Sequence, residues 1–236
     1  MLESINPENV LFIDIETVPA QPAFDQLSGR LQKLWERKAD RLKSNESDTP
    51  VSLYARAGIY SEFGKIICIS AGMFRQNKFR IKTYANDDEA VLLSGFSSLL
   101  NQHFYKQEHL LCAHNGREFD FPYIARRLMV NGMRIPSILD NSGKKPWEIG
   151  LLDTMDLWKF GDYKNYTSLE LLAAIFDIPT PKDDIDGSMV ADVYWNQHDL
   201  PRIAEYCAKD VLTIAQLFRR FRYEPLLTPD EIVIVA

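Results

Sequence analysis

The chain has 236 residues, 46% hydrophobic and 25% charged, which is the balance of an ordinary globular protein long enough to build a core without disulfides or a structural metal. Its net charge of −6 argues against coating nucleic acid through bulk electrostatics, but not against an enzyme that supplies positive charge as bound metal ions. No segment reaches the roughly 18–20 uninterrupted apolar residues of a membrane span, and the start MLESINPENV lacks the basic-then-apolar pattern of a secretory signal.

Cys68, Cys112 and Cys207 are scattered and odd in number, so they read as small buried hydrophobes in a reducing, cytoplasmic setting. The histidines (His103, His109, His114, His198) have no zinc-site spacing.

In chain order, the apolar run 9–16 predicts the first strand. After Pro19, Leu27, Leu31, Leu34 and Trp35 have helical spacing in an otherwise charged segment, and KSNESDTP has loop chemistry. The segment 20–60 is therefore expected as a surface excursion, mobile at KSNESDTP, with a helix over the substrate channel as the alternative. KIICISAGMF and FRIKTYA predict two strands joined by a hairpin turn at RQNK. DDEAVLLSGFSSLLNQHF predicts a helix, EHLLCAH a short buried strand, and DFPYIARRLMVNG a helix with Pro122 in its first turn and Gly132 near its end. EIGLLDT predicts a strand, SLELLAAIFDI and DGSMVADVYWNQ helices, and 200–222 a long final helix. The tail EIVIVA predicts a short strand or a docked tail. Strands in a meander, then strands alternating with helices, point to a single α/β domain with a mixed sheet covered by helices.

Three acidic features stand out. In VLFIDIET, Asp14 and Glu16 are two residues apart on a strand, so they share a face about 5–7 Å apart. Such a pair either ends at the surface with both acids solvated, takes up a proton, or binds a cation, and Mg²⁺ or Mn²⁺ suits oxygen ligands of this kind. In HNGREFDFPYI, Asp120 opens a helix after a strand, as a cap or as a group aimed at the first strand's end. In the last helix, Ile203, Cys207, Asp210, Ile214 and Leu217 form one stripe, which puts an acid on an apolar face with Tyr206 one turn before it. An inward Asp there needs a salt bridge, a cap elsewhere or a metal.

Taken in order, D-x-E (Asp14, Glu16), N-x3-F-D (Asn115, Phe119, Asp120) and Y-x3-D (Tyr206, Asp210) resemble the three exonuclease motifs of the DEDD superfamily, tyrosine subtype. The likeness is to the proofreading 3′–5′ exonuclease domain of family-B DNA polymerases, over about 10–221. It implies a ribonuclease H-like fold with a five-stranded mixed sheet. It also implies hydrolysis of the terminal phosphodiester with two divalent ions, Mg²⁺ or Mn²⁺, ~3.5–4 Å apart. By the same resemblance, Asp14, Glu16 and Asp210 would hold one metal, and Asp14 would bridge to the second with help from Asp120. Tyr206 would orient the nucleophile. The backbone near Ile15 and Thr17 would meet the terminal nucleotide, and Asn115 would position the strand.

Phe119 and Phe121 flank Asp120 as base-stacking or packing rings, and Lys144, Lys145 and Trp147 lie in a loop that either touches phosphate or is simply exposed. The expected partner is single-stranded nucleic acid, DNA ahead of RNA, with no membrane. A catalytically silent domain of the same fold is the competing reading, and loss of any motif acid would favour it.

Overall fold

The structure is a computed structural model that describes residues 2–145, 148–162, 164, 166–180 and 185–235. Six strands form one mixed sheet: β1 (Val10–Pro19), β2 (Gly64–Arg75), β3 (Lys78–Ala85), β4 (Leu110–Ala113), β5 (Leu151–Asp153) and β6 (Ile232–Val235), in the order β5-β4-β1-β2-β3-β6. The helices are α1 (Gly29–Leu42), α2 (Pro50–Leu53), α3 (Glu89–His103), α4 (Asp120–Val130), α5 (Thr154–Lys159), α6 (Leu169–Ile175), α7 (Val190–Trp195) and α8 (Leu200–Phe221). Among the described residues, no helix is long and apolar enough to cross a membrane.

The expected meander is β1-β2-β3, all antiparallel neighbours. Its turn uses Gln76 and Asn77, both at positive φ (53° and 58°), the left-handed pair that matches the twist of a two-residue hairpin. β4 runs parallel to β1, and β5 parallel to β4. The expectation of five strands is corrected to six: Ile232–Val235 pairs in parallel with β3. The apolar IVIV run, opened by a 3₁₀ turn at Pro229–Glu231, covers an edge that would otherwise offer unpaired backbone groups.

The alternation of β1 divides the core. Leu11, Ile13 and Ile15 pack with α3 and α4 through Leu93, Phe96, Phe121 and Ile124. Val10 and Phe12 face the other way, against Val211, Ile214 and Phe218 of α8. Phe12 meets Phe74, Phe79 and Phe218 edge-on at 5.8, 5.8 and 5.3 Å between ring centres. Gly72 lets α8 lie this close, because a Cβ there would sit 2.7 Å from Val211 Cγ1 and 2.3 Å from the Phe79 ring. Period 2 then puts the Asp14 and Glu16 side chains on the α8 side, between Phe12 and the buried Val18, so the acids interrupt an apolar face.

The segment after β1 is an ordered subdomain. Trp35 and Ala39 of α1 are buried with Leu53, Tyr54, Ala57 and Phe63. The stretch KSNESDTP, expected to be mobile, is instead tied by local hydrogen bonds: Ser44 and Asn45 N–H donate to the Asp48 carboxylate, and Thr49 with Ser52 forms the capping box of α2.

Candidate active site

β1 contributes Asp14 and Glu16 from its middle; the strand expected to end at Glu16 continues to Pro19. α8 crosses them with the stripe seen in the sequence: Ile203, Cys207, Ile214 and Leu217 are fully buried, and Asp210 on the same stripe is half-buried. Ligand atoms of Asp14, Glu16 and Cys207 lie within 4.8 Å of one another. Just beyond Glu16 the β1–β2 register shifts, which re-aims the strand where the acids end.

Asp120 arrives from the other side. It is the first residue of α4 and is buried, yet it does not cap the helix; Phe119 is the N-cap and makes no side-chain cap bond. The Asp120 carboxylate instead accepts hydrogen bonds from its own N–H and from Ile15 N–H. Strand and helix start are thereby joined through a buried carboxylate.

The electrostatics are those of a cluster of acids removed from water. Burial, then the charges of Glu16, Asp120 and Asp210, push Asp14 well above the usual carboxylate range. Glu16 is raised well above its ordinary value by burial, by Cys68, and by Asp210 and Asp120. Burial is also the largest cause for Asp120, pushed up to about 7. The buried Oδ2 of Asp14 and Oδ1 of Asn115 have no hydrogen-bond partner among the described residues. Carboxylates assembled against their own repulsion, with an orphaned oxygen pointing among them, fit hard divalent cations. The Tyr206 hydroxyl donates to Asp210, and burial together with the Asp210, Glu16 and Asp14 charges raises its pKa, so it stays protonated.

The remaining sequence-predicted residues divide. Thr17 donates to the Tyr123 hydroxyl, which itself donates to Gly58 O at 2.7 Å. Ile15 turns its side chain into the α3–α4 core. Asn115 sits at φ 60°, a left-handed conformation that Asn tolerates, so the loop can turn sharply after β4. Phe119 is half-buried with its ring 5.3 Å from Tyr123, whereas Phe121 is core and unavailable for stacking on a base. Lys144 reaches back to Ser137 O at 3.1 Å. Trp147 lies outside the described residues.

Sequence reasoning missed Asp153. It is buried at the end of β5 and accepts from the N–H groups of Asn115 (2.9 Å), Arg117 (3.0 Å) and Met155 (3.0 Å). It fixes the loop that delivers Asp120. The only hint in the sequence was an acid ending an apolar strand, the same signal as Asp14. Two of the cysteines also belong to the site's floor: Cys68 pairs with Glu16 across the strands, and the Cys207 thiol donates to Asp14 O at 3.4 Å.

Residues 59–230 match a family model described as "Predicted 3'-5' exonuclease related to the exonuclease domain of PolB". The fold is also similar to that of the family B DNA polymerase from the hyperthermophilic archaeon Pyrobaculum calidifontis, with a TM-score of 0.50 and 15% identity. That likeness covers 87% of this chain and 24% of the polymerase, so the chain spans about a quarter of the polymerase's length. The family match begins after β1, and it is the fold that brings Asp14 and Glu16 to the matched residues Asp120 and Asp210.

Proposed function

We infer that this chain, which belongs to the family of 3′–5′ exonucleases related to the PolB exonuclease domain, hydrolyses the terminal phosphodiester at the 3′ end of single-stranded nucleic acid, DNA ahead of RNA, with Mg²⁺ or Mn²⁺. The observation that carries this reading is the convergence of Asp14, Glu16, Asp120 and Asp210 from β1, α4 and α8, with an orphaned carboxylate oxygen among them. The DEDD-type arrangement and a ribonuclease H-like sheet extended by β6 are part of the same proposal.

Asp14, Glu16 and Asp210 would hold one cation, and Asp14 with Asp120 would hold a second. Bound divalent ions supply Lewis-acid stabilisation of the phosphoryl oxygens and water of lowered pKa. The chain's own groups do the rest. Tyr206, held protonated, is suited to donate a hydrogen bond and orient the attacking water; it is a poor base. The bond from Ile15 N–H to Asp120 keeps β1 in fixed register with α4, so the carboxylates stay placed as the strand enters. Asn115, with its free Oδ1 on a loop braced by Asp153, would position the terminal nucleotide beside the backbone of Ile15 and Thr17, and Phe119 would lie along its base.

Digestion of 5′-labelled single-stranded DNA and RNA with Mn²⁺ tests the reading. A ladder shortened from the 3′ end is expected, and it disappears with chelator and in Asp14→Ala, a fall on the order of 10³-fold or more, about 4 kcal/mol of transition-state stabilisation. Cleavage that survives in Asp14→Ala would sink the assignment.

A further inference from the structure

The acids that would bind metal also repel the polyanion whose end they must receive. An acidic protein with net charge −6 therefore needs a local source of positive charge for the rest of the strand. α1 carries five basic and two acidic side chains in its 14 residues. Arg30, Arg37 and Arg41 fall at i, i+7 and i+11, on one face, and Lys33 flanks them at i+3. All four are exposed, and among the described residues none makes an ion pair or a side-chain hydrogen bond. The acids of the helix, Glu36 and Asp40, lie along one edge of this stripe, and Asp40 pairs with Lys43 at 2.7 Å. The opposite face, Trp35 and Ala39, is fully buried, so the helix cannot roll to hide its arginines.

The subdomain that carries α1 is fastened to the active-site end of β1. Ala20 N–H donates to Phe63 O at 2.8 Å. Gly58 lies so close to Val18 that a Cβ would be 2.9 Å from its carbonyl carbon. Tyr123 of α4, three residues after Asp120, donates to Gly58 O and receives Thr17. The family match starts at residue 59, so α1 is outside it.

We propose that the Arg30–Lys33–Arg37–Arg41 stripe is a track for the sugar–phosphate backbone of the substrate strand upstream of the 3′ end held at Asp14 and Asp210. The proposal rests on the nuclease reading above and adds a substrate class to it: extended single strands in preference to dinucleotides. Arg30 to Arg41 spans about 16 Å at ~1.5 Å per residue. That is on the order of five phosphates of a stacked strand at ~3.4 Å each. Guanidinium groups suit the role because each can grip a phosphate with two parallel N–H bonds.

The test compares wild type with the triple variant Arg30→Gln/Arg37→Gln/Arg41→Gln. A control triple, Arg75→Gln/Arg80→Gln/Lys106→Gln, removes equal charge near the opposite end of the sheet. Binding of a fluorescent 20-nucleotide single strand is measured by anisotropy in chelator across a salt series, and hydrolysis of that strand and of a dinucleotide is measured with Mn²⁺. The α1 variant should bind the 20-mer about tenfold more weakly at low salt, with a salt slope shallower by about 2, from ~0.7 per phosphate contact. Its dinucleotide hydrolysis should equal wild type, and the control should bind like wild type. An unchanged slope, or an equal loss in the control, overturns the track and leaves α1 to a different partner such as an acidic protein. The expected slope change with no cleavage by the wild type would uphold the track and remove the nuclease reading.

Discussion

Glu89 and Glu16 are the same residue type, and both are buried to 8% exposure, yet their surroundings are opposite. Glu89, at the start of α3, accepts from Ile66 N–H (2.7 Å), Arg127 Nε (2.9 Å) and Nη2 (2.5 Å), and Asn131 Nδ2 (2.9 Å). Arg127 in turn donates to Ser61 O at 2.8 Å. Every charge there is matched by a cation or a donor, and the pair ties α3, α4 and β2 together. Glu16 has no donor among the described residues; it faces Asp14, Asp120 and Asp210. A fold able to satisfy one buried glutamate so fully has left the other uncompensated, which is the contrast expected if Glu16 serves the proposed site.

The largest effect expected from this contrast is on stability. Glu89→Ala strands the Arg127 guanidinium in the interior and should cost about 3–5 kcal/mol in urea denaturation. Glu16→Ala should cost far less, because it also removes repulsion. Equal losses at the two positions would break the comparison.

Tyr206→Phe should show the converse split. Its hydroxyl donates to Asp210 inside the cluster, so its loss should slow hydrolysis about 10–100-fold, roughly 1.4–2.7 kcal/mol, with metal affinity and denaturation midpoint nearly unchanged. A variant with normal kcat would take Tyr206 out of the reaction.

Smaller still is the effect of neutralising one member of the cluster. Asp14→Asn relieves like-charge repulsion and should raise stability in chelator by about 1 kcal/mol, roughly 2–4 °C in Tm. Saturating Mn²⁺ should stabilise the wild type and leave the variant nearly unmoved. A variant less stable than wild type in chelator would mean the acids are already neutralised by groups of the fold.

Much of this contrast was legible in the sequence on one side only. Asp14, Glu16 and Asp210 were readable because a strand of period 2 and a helix of period 3.6 fix which residues share a face before any tertiary contact is known. The hairpin at Gln76–Asn77 and the extent of α8 follow from the same local rules. Asp153 and the Glu89–Arg127 pair were not legible. Their roles depend on loops and helices far apart in sequence meeting at one point, and an acid at a strand end or a helix start has ordinary local reasons to be there. The sixth strand was only half readable, since IVIV has strand character but its pairing with β3 depends on where α8 ends. The excursion carried loop chemistry at 43–50, and its order comes from Asp48 and Thr49, side chains that bond to backbone rather than to a core.

The finest test of the comparison is the slope of stability with pH. A carboxylate whose folded pKa is raised holds its proton in the native state after the unfolded chain has released it. Native stability must then fall as pH rises from the ordinary carboxylate range through the raised value. Asp120, pushed to about 7, and Asp14 and Glu16, raised well above the usual range, all act in this direction. His114, lowered by burial, acts oppositely: its contribution grows as pH rises toward the ordinary histidine value and is complete above it. The clean window is therefore about pH 6.5 to 8. In chelator, stability should decline across it by up to about 1.4 kcal/mol per pH unit for each proton held only by the native state. Asp14→Asn should flatten the slope, and Mn²⁺ should reverse it, because a cation favours the ionised acids. Glu89→Gln, whatever its cost in stability, should leave the slope as it is. A slope that follows Glu89, or that is as steep in Asp14→Asn as in the wild type, would place the uncompensated charge somewhere other than the site assembled by β1, α4 and α8.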